Sequence, residues 1–417
     1  MEHQIVSPDL DPNALFWWNS TSEVLRKLLS FGDYDDHQRR EALAFYLEFV
    51  VPSLGPSPTL DGKPSKWKSF MTDDHTPIEY SWAWGNSEGV VGRRIRFSME
   101  AISEKSGTET DPWNKTATFA LVKRLGTYIP DSDFGWFHWL SEQFIPSTEC
   151  FQGDSSWLGP AKHRSSLFLA FELGDGAPIV KSYMLPFAKQ ARTGKSSRAA
   201  ITEILSTLEC REQWPTLPKL LKLWEEQSAP FDLEPFMIAI DCVAPINSRM
   251  KVYARTPHTS LGEVQSIMSI FEDKSKIIKG LEELSELWRL IFSLPENDRK
   301  GEYDKQLPSS DHDTSGILFY FEVRPENCKI TTKVYLPVRH YGRNDLSVAN
   351  GLQAFLQKRG VLQKKFAGHF LTALHQICTH RRLEDATGLQ TYVSCKIDRE
   401  SLDITSYLNP EIYNRSH

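Results

Sequence analysis

The chain has 417 residues, 40% hydrophobic and 12% aromatic, enough to build a core without disulfides or metals. Its formal net charge of −6 argues against a nucleic-acid-binding surface, and no apolar run is long enough to span a bilayer. The six cysteines (Cys150, Cys210, Cys242, Cys328, Cys378, Cys395) form no CxxC pair, and Met1-Glu2-His3-Gln4-Ile5 lacks the basic and apolar blocks of a secretory leader, so reduced thiols and a cytoplasmic location are expected.

Taken in chain order, residues 25–29 and 42–51 show helical spacing of apolar positions. A hairpin follows, with strands at 78–84 and 94–99 around a turn at 85–92. A helix at 136–145 leads to a second hairpin, 167–173 and 179–186, turning at Gly174-Asp175-Gly176. A helix at 201–208 precedes strands 236–241 and 249–255 around Pro245-Ile246-Asn247. The longest periodic segment, 277–294, sets Ile277, Leu281, Leu284, Trp288 and Ile291 on one helical face. Strands at 317–323 and 332–337 turn at Pro325-Glu326-Asn327; a helix at 352–362 and a strand region at 389–395 complete the pattern. Helices followed by two strands recur at roughly 70 to 90 residues, one unit used several times. The expectation is a single domain over residues 1–417.

Three of these strands carry Lys-x-Tyr: Lys181-Ser182-Tyr183, Lys251-Val252-Tyr253 and Lys333-Val334-Tyr335. Side chains alternate faces along a strand. Glu79, Ser81 and Ala83 therefore oppose Ile78, Tyr80, Trp82 and Trp84, and Arg94, Arg96 and Ser98 oppose Ile95, Phe97 and Met99. Arg249, Lys251 and Tyr253 oppose Met250, Val252 and Ala254; Lys333 and Tyr335 oppose Val334 and Leu336. Two arrangements satisfy this pattern. One is a set of half-exposed antiparallel sheets with solvated Lys and Tyr. The other is a closed barrel, apolar outside under the helices and polar in its lumen.

In a lumen, converging Arg and Lys bind a polyanion such as diphosphate. Tyrosine rings beside them stabilise a carbocation kept from water. Glu79, the only acidic residue on its strand's polar face, is placed to accept a proton or an N–H hydrogen bond. A structural salt-bridge role for Glu79 is the alternative.

The segment Lys68-Ser69-Phe70-Met71-Thr72-Asp73-Asp74-His75-Thr76-Pro77-Ile78-Glu79-Tyr80-Ser81-Trp82, the strand Arg96-Phe97-Ser98-Met99-Glu100 and the three Lys-x-Tyr strands resemble the fungal dimethylallyltryptophan synthase-type aromatic prenyltransferases. The resemblance extends from about Phe16-Trp17-Trp18 to Tyr392. It implies a ten-stranded antiparallel β-barrel ringed by α-helices. It implies dimethylallyl transfer from its diphosphate to an indole-containing acceptor, a cyclic dipeptide or larger alkaloid, with a phenolic polyketide or xanthone as the alternative. By position, Glu79 matches the carboxylate that binds the indole N–H and helps remove a proton. Arg96, Lys181, Arg249, Lys251 and Lys333 match the diphosphate-binding cations. Tyr183, Tyr253, Tyr335 and Tyr392 match the tyrosine shield. No metal or other cofactor is expected, and the partners are the donor and a small aromatic acceptor, acting on a monomer or homodimer. Family members that use free tryptophan carry a lysine after the strand ending Phe171-Glu172-Leu173, where this chain has Gly174, which favours a larger acceptor.

Other motifs carry less. Asp73-Asp74 has Pro77 where an aspartate-rich Mg²⁺ motif needs another Asp, so a turn before the Glu79 strand is expected. Thr193-Gly194-Lys195-Ser196 lacks the earlier glycine of a P-loop and reads as a solvated loop. His369, His375 and His380 have no acidic or thiol partner at metal-site spacing. Trp17, Trp18, Trp82 and Trp84 read as core anchors. A non-catalytic carrier of an isoprenoid diphosphate would use the same cations and tyrosines without needing Glu79.

Overall fold

The computed structural model describes residues 10–85, 92–145, 163–208, 213–225, 230–295, 305–308, 310–325, 327–360, 369–398 and 401–415. Most of the predicted turn at 85–92, Cys150, Cys210, Glu326 and the end of the 352–362 segment lie outside these residues.

Ten strands run antiparallel: β1 Ile78–Gly85, β2 Gly92–Met99, β3 Leu167–Glu172, β4 Ile179–Met184, β5 Glu234–Asp241, β6 Met250–Thr256, β7 Ile317–Val323, β8 Thr331–Leu336, β9 Gln390–Asp398 and β10 Ser401–Leu408. Each pairs with its neighbours in sequence, and β1 closes on β10. Closure leaves no sheet edge. The barrel, rather than the open sheets, is the arrangement formed. β10 completes the last hairpin, which the sequence pattern had left without its second strand.

Register puts the two faces where alternation predicts. Tyr80, Trp82 and Trp84 face outward, fully buried under helices, with Trp82 and Trp84 packed on Phe370. On β3 and β7 both faces are buried, which is why they read as nearly continuous apolar runs. The helix Lys274–Ile291 covers β9 and β10 and packs on the helix Asp345–Lys358. Ile277, Leu284, Trp288 and Ile291 are buried there, each worth about 1.5–3 kcal/mol for a large apolar side chain. Gly351 lets the two helices touch, because a Cβ there would collide with the Leu290 carbonyl. Gly351→Ala would overpack that contact, at a cost of about 1–3 kcal/mol.

Helix starts follow sequence chemistry. Asp11 accepts from the amides of Asn13 (2.9 Å) and Ala14 (3.1 Å) at the head of Pro12–Phe31, and Asp35 with Gln38 forms a capping box on Asp36–Phe45. Helices Thr116–Tyr128, Phe187–Thr193, Leu217–Glu225, Leu261–Met268 and His369–Ile377 were not expected. Thr193-Gly194-Lys195-Ser196 is an exposed joint: Gly194 ends one helix at φ 67° and Ser196 caps the next. Among the described residues no helix is long and apolar enough to cross a membrane.

Candidate active site

Paired residues on neighbouring strands share a face, so the register builds the lumen in layers. Lys181 faces Asp241 and Ala170; Lys251 faces Glu322; Lys333 faces Tyr320 and Lys396. One residue pair further along each strand, Tyr183, Tyr253 and Tyr335 form the next layer.

The first layer is densely charged. Glu172 accepts from Lys181 Nζ (2.5 Å) and Arg94 Nη1 (2.7 Å), and Arg96 Nε lies 2.9 Å from its Oε2. Burial alone would raise the Glu172 pKa, but Arg96 and Lys181 hold it far below the carboxylate range. Arg249 clamps Asp241 through Nε and Nη2, and the Asp241 pKa falls to about 2, with Lys251 and Arg249 overcoming burial. Lys251 Nζ stands 3.9 Å from Glu322, and its pKa is pushed down to about 7 by burial and then by Arg249. Lys333 donates to Thr405 Oγ1 (3.4 Å), and burial, then Arg96 and Lys396, push its pKa well down. A cavity of about 120 Å³ opens here. Arg96, Lys181, Arg249, Lys251, Lys333, Tyr183, Tyr253 and Tyr335 all line it.

The tyrosine layer is larger than the sequence indicated. Tyr253 lies 5.5 Å from Tyr320 and 5.9 Å from Tyr335 between ring centres; Tyr335 lies 5.5 Å from Tyr407. Tyr320 and Tyr407 were missed. Alternation puts Tyr320 on the same face as Glu322, a signal present in the β7 sequence. Tyr407 carried no such signal, since β10 itself was not expected. Burial raises the pKa of every one of these phenols, so all stay neutral.

Beyond the tyrosines the barrel interior is mostly apolar. Phe168, Leu185, Met237 and Leu318 are buried in it, with Phe70, Met71, Phe187 and Phe236 packed against them. Glu79 and Tyr392 sit in this region, outside the lining of the 120 Å³ cavity. The β10 register shifts between Ser406 and Leu408, so Thr391 and Tyr392 together oppose Tyr407. Such a bulge re-aims side chains. Thr391 Oγ1 donates to Glu79 Oε1 at 2.6 Å, while Tyr392 packs 6.1 Å from Tyr335. Burial raises the Glu79 pKa to about 8; Thr391 opposes this, Asp73 adds to it and Arg339 offsets Asp73. Among the described residues Glu79 forms no ion pair within 4.0 Å: its hydrogen bond runs to a neutral hydroxyl, and Arg339 acts on it only from further away.

The segment leading into β1 is held by Asp74, which accepts from Thr72 Oγ1 (2.8 Å), Thr76 Oγ1 (2.9 Å) and Asn409 Nδ2 (2.9 Å). It is the expected turn, and it fixes where Glu79 enters the barrel. Asp73 instead meets Arg339 Nε (2.8 Å) and His340 Nε2 (3.3 Å). Among the described residues two sets could ligate a metal: Asp73 with His312 and His340, and Cys378 with His380 and Glu411. The second brings His380 the acidic and thiol partners that spacing did not reveal. In both sets the carboxylate already pairs with a guanidinium, Arg339 or Arg381, which disfavours a cation.

Gly174 requires a correction. It lies just past β3 on the Glu172 side, exposed, with nothing within 4 Å of where a Cβ would stand. It is at the charged end, so its missing side chain says little about the acceptor. The β3 residue of the apolar cluster beyond the tyrosines is Phe168.

The sequence profile described as "Tryptophan dimethylallyltransferase" matches residues 13–372. The chain is similar to the 4-O-dimethylallyl-L-tyrosine synthase of Claviceps purpurea, 34% identical over 97% of this chain and 89% of that one. It is 31% identical to the 7-dimethylallyltryptophan synthase of Aspergillus fumigatus, over 96% of this chain and 85% of the relative. Its fold matches the crystal structure of NotF in complex with brevianamide F and DMSPP, with a TM-score of 0.79 at 23% identity, covering 97% of each chain. A closed ten-stranded lumen with this layering, on a chain so related, places the protein in the dimethylallyltryptophan synthase-type family: it is an aromatic prenyltransferase.

Proposed function

We propose that the enzyme transfers a dimethylallyl group from dimethylallyl diphosphate to an indole-containing acceptor, a cyclic dipeptide or larger indole alkaloid. The observation that carries this reading is the order of layers along one lumen: cations, then tyrosines, then a mostly apolar region with Glu79. Arg96, Lys181, Arg249, Lys251 and Lys333 hold the diphosphate through charge-assisted hydrogen bonds. The bond between the allylic carbon and the diphosphate oxygen breaks, and its electron pair leaves with diphosphate. Tyr183, Tyr253, Tyr335 and Tyr392, joined by Tyr320 and Tyr407, face the allyl cation with their rings and exclude water. The acceptor's aromatic π electrons form the new bond, and transfer of the proton at that carbon to the released diphosphate restores the ring. Glu79 accepts the indole N–H and stabilises the positive charge that develops. With cations neutralising the leaving group, no metal is needed.

A phenolic acceptor is the second reading, favoured by the tyrosine-prenylating relative. A phenol O–H donates to Glu79 as an N–H does. The test is one panel: dimethylallyl diphosphate with L-tryptophan, L-tyrosine, a tryptophan-containing cyclic dipeptide and a hydroxyxanthone, in EDTA, products read by mass spectrometry. The expected result is the highest kcat/KM on the cyclic dipeptide, undiminished by EDTA. Preference for a phenol would replace the indole reading, and activity restored only by Mg²⁺ would overturn metal independence.

A further inference from the structure

An anion-binding lumen that buries a glutamate among its cations poses a problem, since a carboxylate repels the ligand those cations would hold. Glu172 is 6% exposed, and it gathers Arg94, Arg96 and Lys181 from the strands on either side. We infer that Glu172 is a positioning residue of the diphosphate site, which keeps Lys181 protonated and aimed into the lumen so that the donor meets a charged lysine.

The inference rests on the reading that these cations hold diphosphate. The geometry explains why Lys181 needs such a partner. Arg96 on β2, Arg249 just before β6 and Lys251 on β6 crowd it with positive charge, and like charges disfavour a buried ammonium. Asp241 on β5 faces Lys181, but its carboxylate is clamped by Arg249. That leaves Glu172 as the carboxylate in direct contact with Nζ. Burial and then Arg96 lower the Lys181 pKa, and Glu172 is the largest influence opposing them. Without it the lysine sheds its proton at a lower pH.

The sign of the test follows. Removing an anion beside a lysine lowers the lysine's pKa, so loss of diphosphate binding must grow as pH rises. Isothermal titration calorimetry with inorganic diphosphate reads this without any acceptor. In Glu172→Gln, affinity should fall at least about tenfold more at roughly pH 8.5 than at roughly pH 6, relative to the wild type. Titration in buffers of different ionisation enthalpy should show additional proton uptake on binding, as Lys181 is recharged. Glu172→Asp, which keeps the charge on a shorter stem, should recover most of the loss; if Glu172→Gln does not fold, Glu172→Asp compared with wild type carries the same test at smaller amplitude. Equal losses at both pH values would mean a merely structural role and overturn the inference, as would binding as tight as wild type. Failure of the wild type to bind diphosphate at all would instead overturn the underlying reading of the cations.

Discussion

The two ends of the lumen handle charge in opposite ways. At the cation end, Glu172 and Asp241 each sit within hydrogen-bond reach of cationic side chains, and their pKa values fall. At the apolar end, the hydrogen bond to Glu79 comes from a neutral threonine, and its pKa rises to about 8. Glu172 and Asp241 are buried and Glu79 is half-buried, so desolvation acts at both ends; the difference is the partner. Pairing fixes cationic side chains in place, an arrangement suited to holding an anion. A carboxyl hydrogen-bonded to a neutral hydroxyl in largely apolar surroundings is poised to change protonation near neutral pH, as the proposed role requires.

The largest effect should come from breaking the paired end. Arg249→Ala removes a proposed diphosphate ligand and strands Asp241 as a buried carboxylate. Charge-assisted hydrogen bonds are worth about 1.5–3 kcal/mol each, so losing a two-pronged guanidinium should lower kcat/KM for the donor several hundredfold or more. Steady-state kinetics with each substrate varied in turn will show whether the donor term is the one affected. A rise in acceptor KM alone would mean that the two ends are not functionally distinct.

Next comes the Glu79 carboxyl. Glu79→Gln should lower kcat by about a hundredfold while donor affinity stays normal, because the lost interaction strengthens only as the acceptor gains positive charge. The pH profile sharpens this. If the ionised form is the working one, kcat/KM for the acceptor should climb through acid and neutral pH and level off above about pH 8, by up to about tenfold per unit. In Glu79→Gln that limb should be gone. A variant with the limb intact would assign it to another group.

The smallest effect belongs to the layer between the ends. Tyr335→Phe keeps the ring and removes a hydroxyl whose neighbours are Tyr253 (3.4 Å) and Tyr407 (3.5 Å). A shield acting through its rings predicts a change of about threefold or less, against up to about thirtyfold for Tyr335→Leu. Product formed per donor consumed checks this, since a breached shield lets water capture the cation. If Tyr335→Phe leaked as much as Tyr335→Leu, the hydroxyl would be the active part.

Much of this molecule is local, and that is what its sequence determined. Period-two alternation is a property of each strand alone, so Lys181 with Tyr183, Lys251 with Tyr253 and Lys333 with Tyr335 declare a common face before any partner strand is known. The same local rule put Glu79 on the polar side of β1. Tertiary structure decided what depends on residues far apart in the chain. Closure of β1 on β10 turned polar faces into a lumen, and the bulge opposite Tyr407 brought Thr391 to a carboxylate 312 residues away. The pairing of Arg96 with Glu172 joins residues 76 apart, and no spacing rule predicts it. Gly174 shows the limit from the other side. It follows directly on its strand, but only the barrel shows that it stands outside, at the charged end, while Phe168 belongs to the apolar cluster beyond the tyrosines. A side chain's direction is set by its own strand, whereas its neighbours, and so its charge, are set by which strands the fold brings beside it.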